Sequence, residues 1–301
     1  MTRPVVAGSS VALPAAALPL RSAPRLLRAA RIIHPFPTLL NVAATAGLAF
    51  VAVRGVPDAS IMVRMLGVML CAQCAIGVAN DYFDRDLDAV TKPWKPVAAG
   101  LVSPGWAMLL TLGLGVTAAG VAATLGPGSF ALAMLGMASG LAYDARLKRS
   151  LLSAVPYMVA IPTLPFWVWL TLGAWTPVLW WLLPLGSLIG LALHLANTLP
   201  DLEGDAANGV TGLAHRLGAR TSMLLAYASF AAALALSAVL ATVVDYDARY
   251  YLPALVVGIA ALAGSGAAFA VRRNESTLQL GFGALSLASA ALAVGWLAAV
   301  T

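Results

Sequence analysis

From about residue 36 onward the chain alternates apolar stretches of roughly 18 or more residues with short polar connections, and this pattern constrains the fold more than any other feature. Such a stretch, wound as an α-helix, crosses the roughly 30 Å hydrocarbon core of a bilayer. Nine spans are predicted, at about 36–53, 60–80, 102–125, 128–144, 151–172, 177–200, 219–243, 250–271 and 279–300. Lipid offers no hydrogen-bond partner to an open strand, and the runs lack the alternation of a barrel strand. The expected fold is therefore all-α: a polytopic membrane bundle of nine transmembrane helices around a central cavity. A chain that is 61% hydrophobic and 10% charged suits it. Ala- and Gly-rich stretches such as GLGVTAAG (113–120) and GIAALAGSG (258–266) favour close helix contacts.

Lys and Arg divide unequally between the connections. With the N-terminus inside, 15 of the 18 fall on the cytoplasmic side and only Arg54, Arg64 and Arg249 fall opposite. The positive-inside rule then places the N-terminus and the acid-rich connections in the cytoplasm and the C-terminus across the membrane, expected to be the plasma membrane. The net charge of +6 is explained by these loops, so no nucleic-acid partner is expected. Near the N-terminus, VVAGSSVALPAAALPL could pass for a weak signal peptide, but Pro14 and Pro19 interrupt it. RSAPRLLRAARII (21–33) reads better as a basic helix at an anionic surface, anchored by Arg25, Arg28 and Arg31. Residues 1–30 are thus read as a cytoplasmic basic, amphipathic segment and residues 31–301 as one transmembrane domain. Cys71 and Cys74 form a CxxC inside the second span, and with no further cysteine they read as small packing residues.

Negative charge is concentrated at two places. NDYFDRDLD (80–88) and NTLPDLEGD (197–205) share one pattern: Asn, three residues, Asp, one residue, an acid, one residue, Asp. They hold seven of the 12 acidic residues, and each closes a predicted span, the second and the sixth. An interval of four helices puts both on one membrane face and indicates an internal duplication, with helices 1–4 related to 5–8 and the ninth added. On a helix, positions i, i+4 and i+8 fan over about 80°, so Asn80, Asp84 and Asp88 project together with Asp81 nearby, and Asp86 points away. In the second copy Asn197, Asp201 and Asp205 share a face, Glu203 lies opposite, and His194 falls on the same side one turn earlier. Pro200 and Gly204 loosen that helix. A solvated charge cluster at a helix end is the plain alternative, and the repetition of the pattern argues against it.

Carboxylate and amide oxygens suit a hard cation such as Mg²⁺, which is typically held by a few carboxylates together with substrate phosphates. Two acidic faces meeting at a cavity could clamp a diphosphate through such ions. TKPWKPVAAG (91–100) and YDARLKRS (143–150) supply Lys92, Lys95, Arg146, Lys148 and Arg149 on the same face, with Arg216 in GLAHRLGAR a weaker candidate.

These motifs resemble the UbiA superfamily of intramembrane prenyltransferases. NDYFDRDLD looks like its first aspartate-rich motif, NTLPDLEGD its second, YDARLKR the Tyr-and-basic motif between them, and KPVAAGLVS its basic-Pro loop, where the family more often has Arg-Pro. GVTGLAHRLG is similar to its segment after the second motif. The resemblance covers nearly the whole chain after about residue 30. It implies Mg²⁺ and diphosphate contacts at Asn80, Asp81, Asp84, Asp88, Asp201 and Asp205, and diphosphate contacts at Lys95, Lys148 and Arg149, with Tyr143 lining the site. Asn197 joins the metal set through the internal repeat. Asp84, Asp88, Asp201, Asp205, Lys148 and Tyr143 are the expected catalytic residues. Asp144 departs from the small polar residue often found after that Tyr.

The resemblance implies transfer of an isoprenoid chain from a prenyl diphosphate to an aromatic or other lipophilic acceptor in the bilayer. Aromatics that could wall the site are Phe36, Tyr82, Phe83, Trp94, Tyr157, Phe166, Trp167 and Trp169, and Asn41 in the first span and His194 are candidates for the acceptor side. Two alternatives stay open: a UbiA-type terpene cyclase, where the cation attacks its own chain, and an ion-coupled transporter, whose acids belong near the midplane rather than at span ends.

Overall fold

A computed structural model describes residues 24–202, 206, 209–271 and 275–301, with Asp201, Ala270, Glu275 and Ser276 described in backbone alone. Every regular element among them is helical. In chain order these are α1 (Arg25–Ala30), α2 (Pro35–Val53), α3 (Ala59–Phe83), α4 (Arg85–Thr91), α5 (Pro104–Ala123), α6 (Pro127–Ala145), α7 (Val155–Thr171), α8 (Leu182–Thr198), α9 (Leu213–Leu240), α10 (Ala248–Val271) and α11 (Glu275–Val300). Short 3₁₀ turns at Arg31–Ile33, Leu147–Arg149, Pro177–Trp181 and Leu199–Asp201 adjoin them.

Among the described residues seven helices are long and apolar enough to cross a membrane: α2, α3, α5, α8 with its preceding turn, α9, α10 and α11. On that measure the count is seven, not nine. α6 and α7 stand where the fourth and fifth spans are expected. α7 is apolar but has 17 residues, and α6 carries Gly136, Gly140, Tyr143 and Asp144, which line a cavity and dilute its apolar content.

Local chemistry sets the helix ends. Asp58 caps α3 by accepting from the Ile61 amide at 2.9 Å, Ser103 caps α5 through the Trp106 amide, and Pro occupies the first turn of α2, α5, α6 and α7. Gly218, at φ 75°, breaks α9 into a short leading piece and the long span predicted from residue 219. α1 exposes Leu26 and Leu27 beside its arginines, as an interfacial helix does.

Packing partners largely repeat at the four-helix interval. α2 packs on α3 and α7 on α8; α3 packs on α5 and α8 on α9; α5 meets α6 as α9 meets α10. The copies diverge where α3 packs on α6, because α8 packs instead on α11. The main core runs between these helices around Trp167, Trp169, Leu179, Phe230 and Trp296.

The α7–α8 contact is built on a defect and a glycine. Pro162 has no N–H to give the Met158 carbonyl four residues earlier, and Ser187 of α8 donates to that oxygen at 3.0 Å. A Cβ at Gly190 would stand 2.5 Å from the Tyr157 carbonyl oxygen, so only glycine permits this approach. The pairing sets Tyr157 against Asn197 and His194.

Candidate active site

α3 ends at Phe83 and α4 begins at Arg85, yet the hydrogen-bond ladder barely breaks at Asp84 (φ −94°, ψ 0°): the Asp84 amide bonds Asn80 O at 2.9 Å, Asp88 bonds Asp84 O at 2.7 Å, and Lys92 bonds Asp88 O at 2.8 Å. Four residues per step keeps Asn80, Asp84, Asp88 and Lys92 in one column, and all four line a single cavity of about 580 Å³. Asp86 is off that face and almost fully exposed. The opposite walls come from α6, α7 and α8, with Tyr143, Asp144, Lys148, Tyr157, His194 and Asn197.

Among the described residues, the lining holds three carboxylates, Asp84, Asp88 and Asp144, and three ammonium groups, Lys92, Lys95 and Lys148. The Lys148 amine donates to Asp84 Oδ1, and Arg149 Nη2 lies 3.6 Å from the same oxygen. Asn80 bridges the column: its Nδ2 donates to Asp84 Oδ2 at 3.1 Å and Asp144 Oδ1 at 2.8 Å, while its Oδ1 accepts from Lys95 at 2.9 Å. Asp144, the departure from the family motif, therefore orients Asn80 from across the cavity. Lys95 also forms ion pairs with Asp81 Oδ1 at 3.0 Å and Asp88 Oδ2 at 2.9 Å. Burial pushes the Asp88 carboxyl above the ordinary aspartate value, and Lys95 offsets part of the rise. For Lys95, burial alone would lower the ammonium pKa; Asp81 and Asp88 overcome it and the net shift is upward.

Asp81 lies apart. One residue from Asn80 on the helix, it is rotated off the column, is fully buried, and pairs with His34 Nε2 at 2.9 Å as well as with Lys95. Sequence reasoning missed His34. Its ring lies against Gly77, where a Cβ would stand 3.1 Å away, and a polar residue just ahead of the prolines of α2 was the available signal. Also missed were Gln73, whose carbonyl accepts from Asn41 at 3.4 Å, and Ser153, whose hydroxyl lies 2.9 Å from His194 Nε2 and accepts from the Leu213 amide at 3.0 Å.

An inner pocket of about 140 Å³ lies between α2, α3, α6 and α7, lined by Asn41, Met69, Leu132, Leu164 and Trp167. It shares Gln73, Ile76, Gly136, Ala160 and Ile161 with the larger cavity. Tyr143, Tyr157 and His194 form an aromatic cluster with ring centres 5.1 to 6.0 Å apart, Tyr143 edge-on to the other two rings, and His194 is buried. Phe166 and Trp169 are core residues and Phe36 faces outward.

Of the second motif, Asn197 reaches the cavity and donates to the Tyr157 hydroxyl at 3.2 Å. Asp201 closes the turn Leu199–Asp201 but its side chain, with Glu203 and Asp205, lies outside the described residues. Among the described residues no three His, Cys, Asp or Glu side chains already form an ion's ligand set. The chemistry of the donors nonetheless fits a hard divalent cation: Asn80, Asp84 and Asp88 present carboxylate and amide oxygens to one cavity, with Lys95 as the charged partner of Asp88 Oδ2 at 2.9 Å.

Fold and site together define an integral membrane protein whose helices enclose a cavity of carboxylates balanced by lysines. A model of the UbiA prenyltransferase family matches residues 40–287, and the chain belongs to that family. Digeranylgeranylglyceryl phosphate synthase of Methanoregula boonei is 31% identical over 182 residues, 58% of this chain and 63% of that protein. Chlorophyll synthase of Arabidopsis thaliana is 31% identical over 176 residues, 52% of this chain and 45% of the relative. The match thus spans less than two thirds of the length of these curated relatives. Among solved structures, a UbiA homolog from Archaeoglobus fulgidus bound to GPP and Mg²⁺ aligns with a TM-score of 0.68 at 17% identity, covering 89% of this chain and 99% of that one. The same homolog bound to DMAPP and Mg²⁺ gives 0.72 at 17% identity, over 90% and 98%. At that identity the likeness shows a shared fold.

Proposed function

We propose that this chain transfers an isoprenoid group from a prenyl diphosphate to an aromatic or other lipophilic acceptor within the membrane, with Mg²⁺ as cofactor. The observation that carries this reading is the single cavity: Asn80, Asp84, Asp88, Lys95 and Lys148 gather at one end, and an apolar pocket continues from it between α2, α3, α6 and α7. A diphosphate on an apolar tail has the same division. The named relatives are a digeranylgeranylglyceryl phosphate synthase and a chlorophyll synthase, and the related fold has been captured with GPP or DMAPP and Mg²⁺.

Asn80, Asp84 and Asp88, with Asn197, Asp201 and Asp205 from the second motif, would hold the metal; once bound, it supplies charge neutralisation at the diphosphate. Lys148, Arg149 and Lys95 take the negative charge that grows on the leaving diphosphate as the allylic C–O bond stretches. Tyr143 and Tyr157 present ring faces and edges to the side where positive charge develops. The closely packed helices keep water from quenching the prenyl cation. Asn41, at the inner pocket, and His194, against the tyrosines, are assigned to the acceptor side.

We assign residues 31–301 to one transmembrane domain and residues 1–30 to a cytoplasmic segment, with the cavity mouth facing the cytoplasm from the plasma membrane and the C-terminus opposite. Charge segregation supports this: Arg64, near the start of α3, reaches Thr124 O at 3.0 Å, Arg54 reaches Ala298 O at 3.5 Å and the Asp247 amide bonds Ala299 O at 3.0 Å, whereas Asn80 lies at the other end of α3.

The test is turnover in membranes. Asp84→Ala and Asp201→Ala should abolish it while leaving the protein inserted, and EDTA should do the same until Mg²⁺ is restored. Retained activity in either variant contradicts the assignment.

A further inference from the structure

Lys95 is placed as a counterion more than as a reaching hand. Its Nζ lies 2.9 Å from Asn80 Oδ1, 3.0 Å from Asp81 Oδ1 and 2.9 Å from Asp88 Oδ2, so three oxygens of the first motif surround one positive charge. The seat is enclosed: side-chain exposure is 19% for Lys95, 0% for Asp81 and 5% for Asp88. Leaving those carboxylates buried with no cation would be costly. Yet one ammonium meets two carboxylates, and the second oxygen of Asp81 is buried with no hydrogen bond. A divalent ion has twice the charge and no N–H direction to satisfy.

We propose that the Lys95 ammonium is the resident cation of the first motif, occupying the seat that Mg²⁺ takes in the loaded enzyme and passing from it to the diphosphate when ion and prenyl diphosphate bind. This rests on the Mg²⁺ and diphosphate reading above. Asp81 then closes the seat from the side away from the cavity lining and is itself held from behind by His34. The exchange keeps the acids neutralised before ion and substrate bind. It also makes metal and substrate bind together, because the ion must displace the lysine from its three oxygens and the diphosphate offers the displaced ammonium a new partner.

Mn²⁺ binding to the purified protein, followed by electron paramagnetic resonance with and without pyrophosphate, tests this. Without pyrophosphate, Lys95→Gln should bind Mn²⁺ about 10- to 100-fold more tightly than wild type, the factor for one charge-assisted contact removed from competition. Lys92→Gln removes the same charge from the same cavity and should gain much less. If Lys95→Gln is unfolded in EDTA, Mn²⁺ alone should restore its fold by filling the seat. Unchanged or weaker Mn²⁺ affinity in Lys95→Gln, an equal gain in Lys92→Gln, or an unfolded Lys95→Gln that Mn²⁺ does not rescue overturns the exchange and leaves the prenyltransferase reading standing. Wild type that binds no Mn²⁺ even with pyrophosphate removes the metal reading itself.

Discussion

The Asp84 and Lys148 pair offers a quantitative test of the contacts within the site. Both side chains are about one-tenth exposed, and each is the other's main charged partner. In Asp84→Asn the amide faces Asn80 Nδ2 on one side and the Lys148 ammonium on the other, both donors. Either orientation leaves its oxygen on one donor and sets its NH₂ against the other, so one contact becomes a clash of donors, at a cost of about 2–3 kcal/mol. Lys148→Met costs less, about 1–2 kcal/mol, because Asp84 keeps Asn80 and has Arg149 at 3.6 Å. In the double variant the amide turns its oxygen to Asn80 and its NH₂ to the cavity. The loss should then fall short of the sum of the singles by about 1–2 kcal/mol. Unfolding in dodecyl maltoside with rising SDS, followed by tryptophan fluorescence, measures all three. Additivity to within about 0.3 kcal/mol would mean the pair is not coupled and refute this description of the site.

Gly190→Ala should force α7 away from α8 and cost about 1–3 kcal/mol in the same unfolding assay, with turnover falling as Tyr157 and Asn197 separate. Ser187→Ala should cost about 1–3 kcal/mol by orphaning the Met158 carbonyl, without a change in metal affinity. The Asp88 carboxyl has a folded-state pKa above 3.8, so the folded protein binds that proton more readily than the unfolded chain. Its contribution to stability should therefore rise as pH falls through the folded value toward 3.8, while metal binding declines over the same window; Asp88→Asn should abolish both trends in pH-dependent unfolding and Mn²⁺ titrations. Glu203→Gln should reduce turnover less than Asp205→Asn, since Glu203 falls off the shared face in the sequence pattern; equal losses would count against that helical register.

What was legible in the sequence was what repeats locally. Span length, the four-residue spacing of Asn80, Asp84 and Asp88, and the lysines after the motifs are short-range patterns, and the structure puts those residues on one cavity. The contacts that organise them are long-range. Asn80 meets Asp144 across 64 residues and His34 meets Asp81 across 47, with no period to announce either pair. Asp144 reads in the sequence only as a departure from the family motif, because its partner amide belongs to another helix. Asp81 could have been separated from its neighbours by geometry, since one helical step is about 100° away from Asn80. The polarity of α6 is likewise a property of the cavity it lines, which is why a criterion of apolar length passes it over.

The most direct measurement combines the purified protein, reconstituted in liposomes with Mg²⁺, with geranyl, farnesyl, geranylgeranyl and longer prenyl diphosphates and a lipid extract, reading products by mass spectrometry and diphosphate by release. The account predicts Mg²⁺-dependent diphosphate release coupled to a product heavier than its acceptor by one prenyl group. Release without an added acceptor mass would mark a cyclase, and no release from any prenyl diphosphate would contradict the central claim.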